Sequence, residues 1–260
     1  MSLTIDFSGQ IALITGGGKG VGRGITERFL SAGAEVVICG RSAPDELPEA
    51  DGRTARFVAT DVRDLEQQQG LVSQIVADHG RLDILINNAG GAPEAAAATA
   101  SPRFHEKIVH LNLLAPMHLS QMVNQVMQEQ ADGGSIVSIT SVSGHRPSPG
   151  TAAYGAAKAG LISWTQSTAV EWAPKVRVNT VSAGMVLTEQ AAQHFGTGDL
   201  LRRVEDTVPL GRLAAPVEIG QACVYLASPM ASYVTGTDLL IHGGGEWPSF
   251  FTVTHDEQEN

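Results

Sequence analysis

The sequence predicts an α/β fold: one domain over residues 1–260, with a doubly wound parallel sheet of about seven strands and helices on both faces. Three observations lead there. Short β-branched apolar runs alternate with longer amphipathic stretches along the chain. The runs are nearly continuous in apolar residues, as strands covered on both faces require. The first run passes directly into a glycine-rich turn and then into a helical pattern.

Taken in order, residues 11–15 read as the first strand and 22–32 as the helix that follows. Strands are expected at 35–39 and 56–60, a helix at 64–79, and a fourth strand at 82–86. A long helix over 111–130 precedes a fifth strand at 135–139, a helix at 151–172 and a sixth strand at 176–181. A helix at 216–227 and a strand at 238–241 complete the pattern. Two segments break the rhythm. The alanine-rich stretch 91–99 reads as a loop or the start of a helix, and 188–213 as a long insertion before the last helix. The tail 252–260 is polar, acidic and expected to fray.

Composition narrows the function. A formal net charge of −10 argues against nucleic-acid or anionic-membrane partners, both of which need a basic face. Cys39 and Cys223 are far apart, without metal-type spacing, and read as small core residues; no metal site is expected. The absence of a disulfide framework fits a reducing cytoplasm. No window reaches the roughly 18 consecutive apolar residues of a membrane span, and the first residues do not read as a signal peptide.

The turn Thr15-Gly-Gly-Gly-Lys-Gly-Val-Gly22 lies between the first strand and its helix. Glycines there let backbone N–H groups approach a phosphate, and the helix N-terminus adds positive potential. That context is the one a dinucleotide site requires. The end of the second strand reads Ile38-Cys-Gly-Arg41, without the acid that would bind a ribose 2′-hydroxyl. Arg41 can instead grip a 2′-phosphate, with Lys19 as a second cation, which favours NADP(H) over NAD(H).

Farther along, Tyr154 and Lys158 stand four residues apart on an expected helix, hence on one face. A cation held near a phenol lowers its pKa and makes it a usable acid or base. Ser141 lies thirteen residues before Tyr154, at the end of an apolar run.

With these residues the chain resembles the classical short-chain dehydrogenase/reductase family. The resemblance runs from Gly9 to about Gly244 through the Thr15–Gly22 turn, Asp61-Val62, Asn87-Asn-Ala-Gly90, Asn112, Ser141, Tyr154, Lys158 and the turn ending in Gly184. It extends to the NADP-preferring branch through Lys19 and Arg41, and is similar to 3-oxoacyl-thioester reductases. It implies a Rossmann fold and hydride transfer between NADP(H) and a small ketone or secondary alcohol. Tyr154 would donate or accept the proton, Lys158 would lower its pKa and hold the nicotinamide ribose, and Ser141 would bond the substrate oxygen. Asn112 would anchor a relay water near Lys158. Gly16, Gly20, Val21 and Gly22 would cradle the cofactor. Asp61, with Val62, would contact adenine; Asn88, with Ala89 and Gly90, would lie by the ribose; Gly184, Val186 and Thr188 would meet the nicotinamide end. Other outcomes within the resemblance are a 3-oxoacyl-thioester or hydroxysteroid reductase, or a dinucleotide-binding protein without turnover. A homotetramer or homodimer is implied, with Leu161, Ile162 and Trp164 offering a contact surface.

Two departures from the family pattern stand out. Ala183 replaces a proline before Gly184, and no acid directly precedes the glycines of Ile241-His-Gly-Gly-Gly245. Ser143 reads as a loop hydroxyl, Asn87 as structural, and His110 and His145 as ordinary packing or surface residues. Substrate choice is expected from 93–99, 144–151 and 188–213, the last as a closing lid.

Overall fold

The computed structural model of the protein describes residues 5–248; the tail expected to fray lies outside the described residues. The apolar run Ile11–Thr15 (β1) is buried throughout and pairs in parallel with β2 (Glu35–Gly40) on one side. On its other side lies β6 (Ile84–Asn87). Beyond β2 comes β5 (Arg56–Ala59). Beyond β6 come β7 (Gly134–Ser141), β8 (Val176–Ala183) and β9 (Asp238–Ile241), giving the order β5-β2-β1-β6-β7-β8-β9. All pairings in this seven-stranded sheet are parallel. The chain first builds outward from β1 through β2 to β5 and then crosses back to β6. The reversal leaves a crevice at the carboxyl ends of β1 and β6, the place where open α/β sheets bind ligands.

Alternation along the strands divides the core between two faces. Ile14, Ile38, Ile86 and Val181 pack with Phe29 of α1 (Gly20–Ser31) and Ile219 of α8 (Pro216–Ala227). Their neighbours Leu13, Val37, Leu85 and Val178 pack with Leu71 of α2 (Leu65–His79), Leu119 of α4 (Ala115–Glu129) and Ala169 of α5 (Ala152–Glu171). Cys39 and Cys223 are both buried, and burial pushes the Cys39 thiol up to about 12. Leu161, expected at a subunit contact, belongs to the core instead; Ile162 and Trp164 are half-buried.

Several boundaries differ from the sequence expectation, each for a local reason. Asp64 caps α2 rather than starting it, accepting from the N–H groups of Glu66 and Gln67 at 3.0 and 3.2 Å. The helix expected from 111 is preceded by α3 (Pro102–Val109), with Ser101 capping the N–H of Phe104. A π-helical turn, His110–Leu114, joins α3 to α4 and brings Asn112 inward. Strands β7 and β8 run past their last expected apolar residues, so that Ser141 pairs with Ala183. A small antiparallel hairpin, β3 (Glu49–Ala50) with β4 (Arg53–Thr54), was not expected. The 188–213 segment holds α6 (Ala191–Phe195) and α7 (Asp199–Glu205). A bridge between Val186 and Ala214 brings its two ends together.

Candidate active site

The glycine turn meets the crevice at the start of α1. Lys19, its N-cap, makes no side-chain cap bond, and Gly20 opens the helix at φ 50°. A Cβ at position 22 would collide with the carbonyl oxygen of Gly16, so the tight crossing of the turn demands glycine there. The loop after β6 is tied to this turn. Thr15 Oγ1 accepts from the N–H groups of Asn88 and Ala89, both at 2.9 Å. Asn88 Nδ2 donates to the carbonyls of Thr15 and Gly16 at 2.9 and 3.2 Å. Asn88, expected beside a ribose, thus spends its amide protons on the turn.

Two cavities open along the crevice, of about 520 and 400 Å³, sharing Gly16, Lys19, Ala89 and Gly90. The first is lined by Gly40, Arg41, Asp61, Val62 and Arg63. The Asp61 carboxylate is already spoken for: Arg63 Nε donates to Oδ1 at 2.9 Å and Nη2 to Oδ2 at 2.5 Å. The Arg63 guanidinium, opposed by burial and aided by the more distant Arg41, holds Asp61 down to about 2. Arg63 escaped sequence reasoning, although it stands two residues after Asp61 in the same turn. Arg41 and Lys19 are exposed and make no ion pair among the described residues.

The second cavity contains Val21, Gly22, Ser141, Tyr154, Lys158, Gly184, Val186 and Gln190. Ser141 ends β7, and Tyr154 and Lys158 share one face of α5. Lys158 is 4% exposed; its ammonium donates to the Ile139 carbonyl at 2.8 Å and lies 5.5 Å from the centre of the Tyr154 ring. Burial pushes Lys158 down to about 8. Burial also raises Tyr154, opposed by a hydrogen bond with the Ser141 side chain. The lowered phenol expected from the Tyr-Lys pair is therefore corrected. Desolvation of the phenol outweighs the Ser141 hydrogen bond, while the ammonium, held by Ile139, stands at the ring face.

Asn112 is fully buried, its Oδ1 accepting the Gly91 N–H and its Nδ2 donating to the Gly91 and Ile108 carbonyls, each at 2.9 Å. It clamps the 90–91 loop and has no direct hydrogen bond to Tyr154 or Lys158. Thr188 lies against Gly20, where an added Cβ would stand 3.4 Å from Thr188 Cγ2. Its neighbour Glu189 was not anticipated: Oε2 accepts the Gly20 N–H at 3.1 Å, across 169 residues of sequence.

The residues present fit a dinucleotide. At the start of α1, the shared Gly16 and Lys19 join a chamber rimmed by exposed cations to one lined by a phenol, a hydroxyl and an ammonium. A family profile described as Enoyl-(Acyl carrier protein) reductase matches residues 16–246. An uncharacterized oxidoreductase of Mycobacterium tuberculosis is 36% identical over 92% of this chain and 93% of its own. A 3-oxoacyl-(acyl-carrier-protein) reductase of Thermotoga maritima is 34% identical over 91% of this chain and 97% of its own. The ligand-free aldohexose dehydrogenase of Thermoplasma acidophilum superposes with a TM-score of 0.83 at 27% identity, covering 90% of this chain and 93% of that one.

Proposed function

Because the chain belongs to the classical short-chain dehydrogenase/reductase family of oxidoreductases, which bind a nicotinamide dinucleotide, we propose that it moves hydride between NADP(H) and a small ketone or secondary alcohol. The observation that carries the reading is the convergence of Ser141, Tyr154 and Lys158 in one cavity continuous with the phosphate turn. The bound cofactor would supply or take up the hydride. The chain's own residues do the rest. Ser141 and Tyr154 donate hydrogen bonds to the substrate oxygen, where negative charge grows during reduction. Tyr154 gives up its proton to that oxygen, or takes it back in oxidation. Lys158, buried beneath the ring, favours the phenolate that proton loss leaves behind.

The preference for NADP(H) rests on Arg41 and Lys19, free cations at the rim, and on an Asp61 already neutralised by Arg63. We read residues 188–213 as a lid hinged at the Val186–Ala214 bridge, with half-exposed Leu200 on α7 as an apolar contact for substrate. A second reading, reduction of a 3-oxoacyl thioester, is favoured by the relatives that carry that name. For assembly we favour a homodimer or homotetramer through α4 and α5. The Trp164 and Trp172 rings meet there edge-on at 5.4 Å beside a surface groove, and light scattering that returned a stable monomer would reject it.

The direct test is NADPH absorbance loss over a panel of ketones, sugars and 3-oxoacyl thioesters, with NADH alongside. Turnover with NADPH on one of these classes is the expected result. Tight NADPH binding with no turnover on any of them would leave a dinucleotide-binding protein.

A further inference from the structure

Two features left aside by the reading above meet in the structure: a histidine near the catalytic serine, and the strand whose usual acid is missing. Asp238 begins β9, and its side chain is 10% exposed. Its carboxylate gathers five hydrogen bonds. Oδ1 accepts from Thr180 Oγ1 at 2.5 Å, Ser182 Oγ at 3.0 Å and Thr140 Oγ1 at 3.3 Å. Oδ2 accepts from Ser182 Oγ at 3.0 Å and pairs with His145 Nε2 at 2.7 Å. Thr140, Thr180 and Ser182 alternate onto the same face as Ile136 and Val178, the face that α4 and α5 cover. No lysine or arginine among the described residues pairs with this carboxylate. A sheet interior does not need such a group, and apolar residues would fill the space without its desolvation cost.

Four of the five bonds come from neighbouring strands that are already hydrogen-bonded to one another. The fifth reaches out of the sheet. His145 belongs to the segment that joins Ser141 to the helix of Tyr154, directly after the 3-10 turn Val142–Gly144. The His145 N–H donates to the Val142 carbonyl at 2.9 Å, closing that turn. From the same turn the Ser143 N–H donates to Ser141 Oγ at 3.2 Å. One acceptor site of the serine hydroxyl is thereby filled, and its proton is left to point toward Tyr154 and the substrate oxygen. On its other side the turn rests against α5, where a Cβ on Gly144 would stand 3.0 Å from the Ala159 nitrogen. A second tie from the rim, Arg146 to Glu246 at 2.5 Å, is exposed and contributes little.

We propose that His145 and Asp238 are positioning residues for the reaction: they anchor the 142–144 turn to β9 and so fix the Ser141 hydroxyl against Tyr154. This rests on the proposed roles of Ser141 and Tyr154. A misplaced donor loses its effect on the developing oxyanion while the dinucleotide, bound mainly by the turn before α1, is untouched.

The test uses four variants of the full-length protein, His145→Ala, His145→Gln, Asp238→Asn and His145→Ala with Asp238→Asn, read beside Tyr154→Phe. His145→Ala lowers kcat about tenfold, with KM for the ketone and Kd for NADPH within about twofold of the parent. His145→Gln, whose amide reaches the same carboxylate, recovers most of that loss. The double variant is no slower than the worse single one, because both changes disturb the same small network, in which His145 Nε2 meets Asp238 Oδ2 at 2.7 Å and Ser182 Oγ at 3.1 Å. A kcat for His145→Ala within about twofold of the parent overturns the proposal. So do losses that multiply in the double variant, a His145→Gln no better than His145→Ala, or a loss shared equally by NADPH affinity and melting temperature. Should Tyr154→Phe match the parent, the reading of the site fails instead.

Discussion

At the phosphate end of the cleft the working groups are backbone amides, whereas at the reacting end they are side chains drawn from β7 and α5. The first end lies in short contiguous stretches, 15–22 and 38–41, and needs glycines where the turn crosses closely, with the exposed Lys19 and Arg41 at its rim. The second depends on three side chains from two elements, with Lys158 held by the Ile139 carbonyl of the neighbouring strand. A change at the reacting end should cost rate without affinity, and a change at the phosphate end affinity without rate.

The largest expected effect tests that separation. Tyr154→Phe keeps the ring over Lys158 and removes the acid, so kcat falls by about 10²–10⁴-fold while NADPH Kd, measured by fluorescence titration, stays put. A parallel loss of NADPH affinity would mean that the two ends are not separable.

Lys158 sharpens the comparison through stability. Its folded pKa is about 8, against 10.5 for the free side chain, because burial penalises the ammonium. Between those values the unfolded chain holds a proton that the folded chain has released, so stability rises with pH across this window. Below pH 8 the full penalty applies, on the order of 3 kcal/mol. Lys158→Met should lose activity, and its urea midpoint should exceed the parent's most at neutral pH. The advantage should shrink as pH rises from 8 to 10.5. An advantage that does not change with pH would place the cost elsewhere. The phosphate end carries no comparable burden, as its cations are exposed.

Arg41→Ala addresses that other end. Loss of a charge-assisted contact to the 2′-phosphate should weaken NADPH about 10- to 100-fold and leave NADH unchanged, with kcat at saturating cofactor near the parent value. Equal weakening of both cofactors would remove the 2′-phosphate assignment, and Arg63 would become the residue to change next.

The same contrast explains what could be read from sequence. The alternation of strands and helices, the phosphate turn and the Tyr-Lys pair follow from local patterns in the sequence. The roles of the strand-end hydroxyls Thr140 and Ser182 did not follow, because hydroxyls that serve a buried carboxylate look like loop residues until Asp238 is placed beside them. The partners of Asn112 were equally hidden: the π-helical turn brings its amide onto Gly91. The pairing of Arg63 with Asp61, two residues away in one turn, was hidden as well. Each of these side chains has a partner set by tertiary placement, which periodicity does not encode.

Glu189 is where the two ends touch, and it yields the smallest expected effect. It stands at the start of the segment read as a lid, yet its carboxylate accepts from the Gly20 N–H at the opening of α1. The first turn of α1 contains no acidic residue of its own, and Lys19 supplies no cap, so Glu189 provides the negative charge favoured at a helix N-terminus. A dinucleotide pyrophosphate would seek the same N–H. On that reading the carboxylate would compete with the cofactor, and its release would free the start of the 188–213 segment. Glu189→Gln keeps an acceptor and removes the charge, so NADPH should bind about two- to fivefold tighter at low salt. The gain should fade at high salt as the charge is screened. Weaker binding in this variant would show that Glu189 supports the cofactor rather than standing in its place. The lid and the phosphate turn would then be partners in binding, not rivals for one backbone amide.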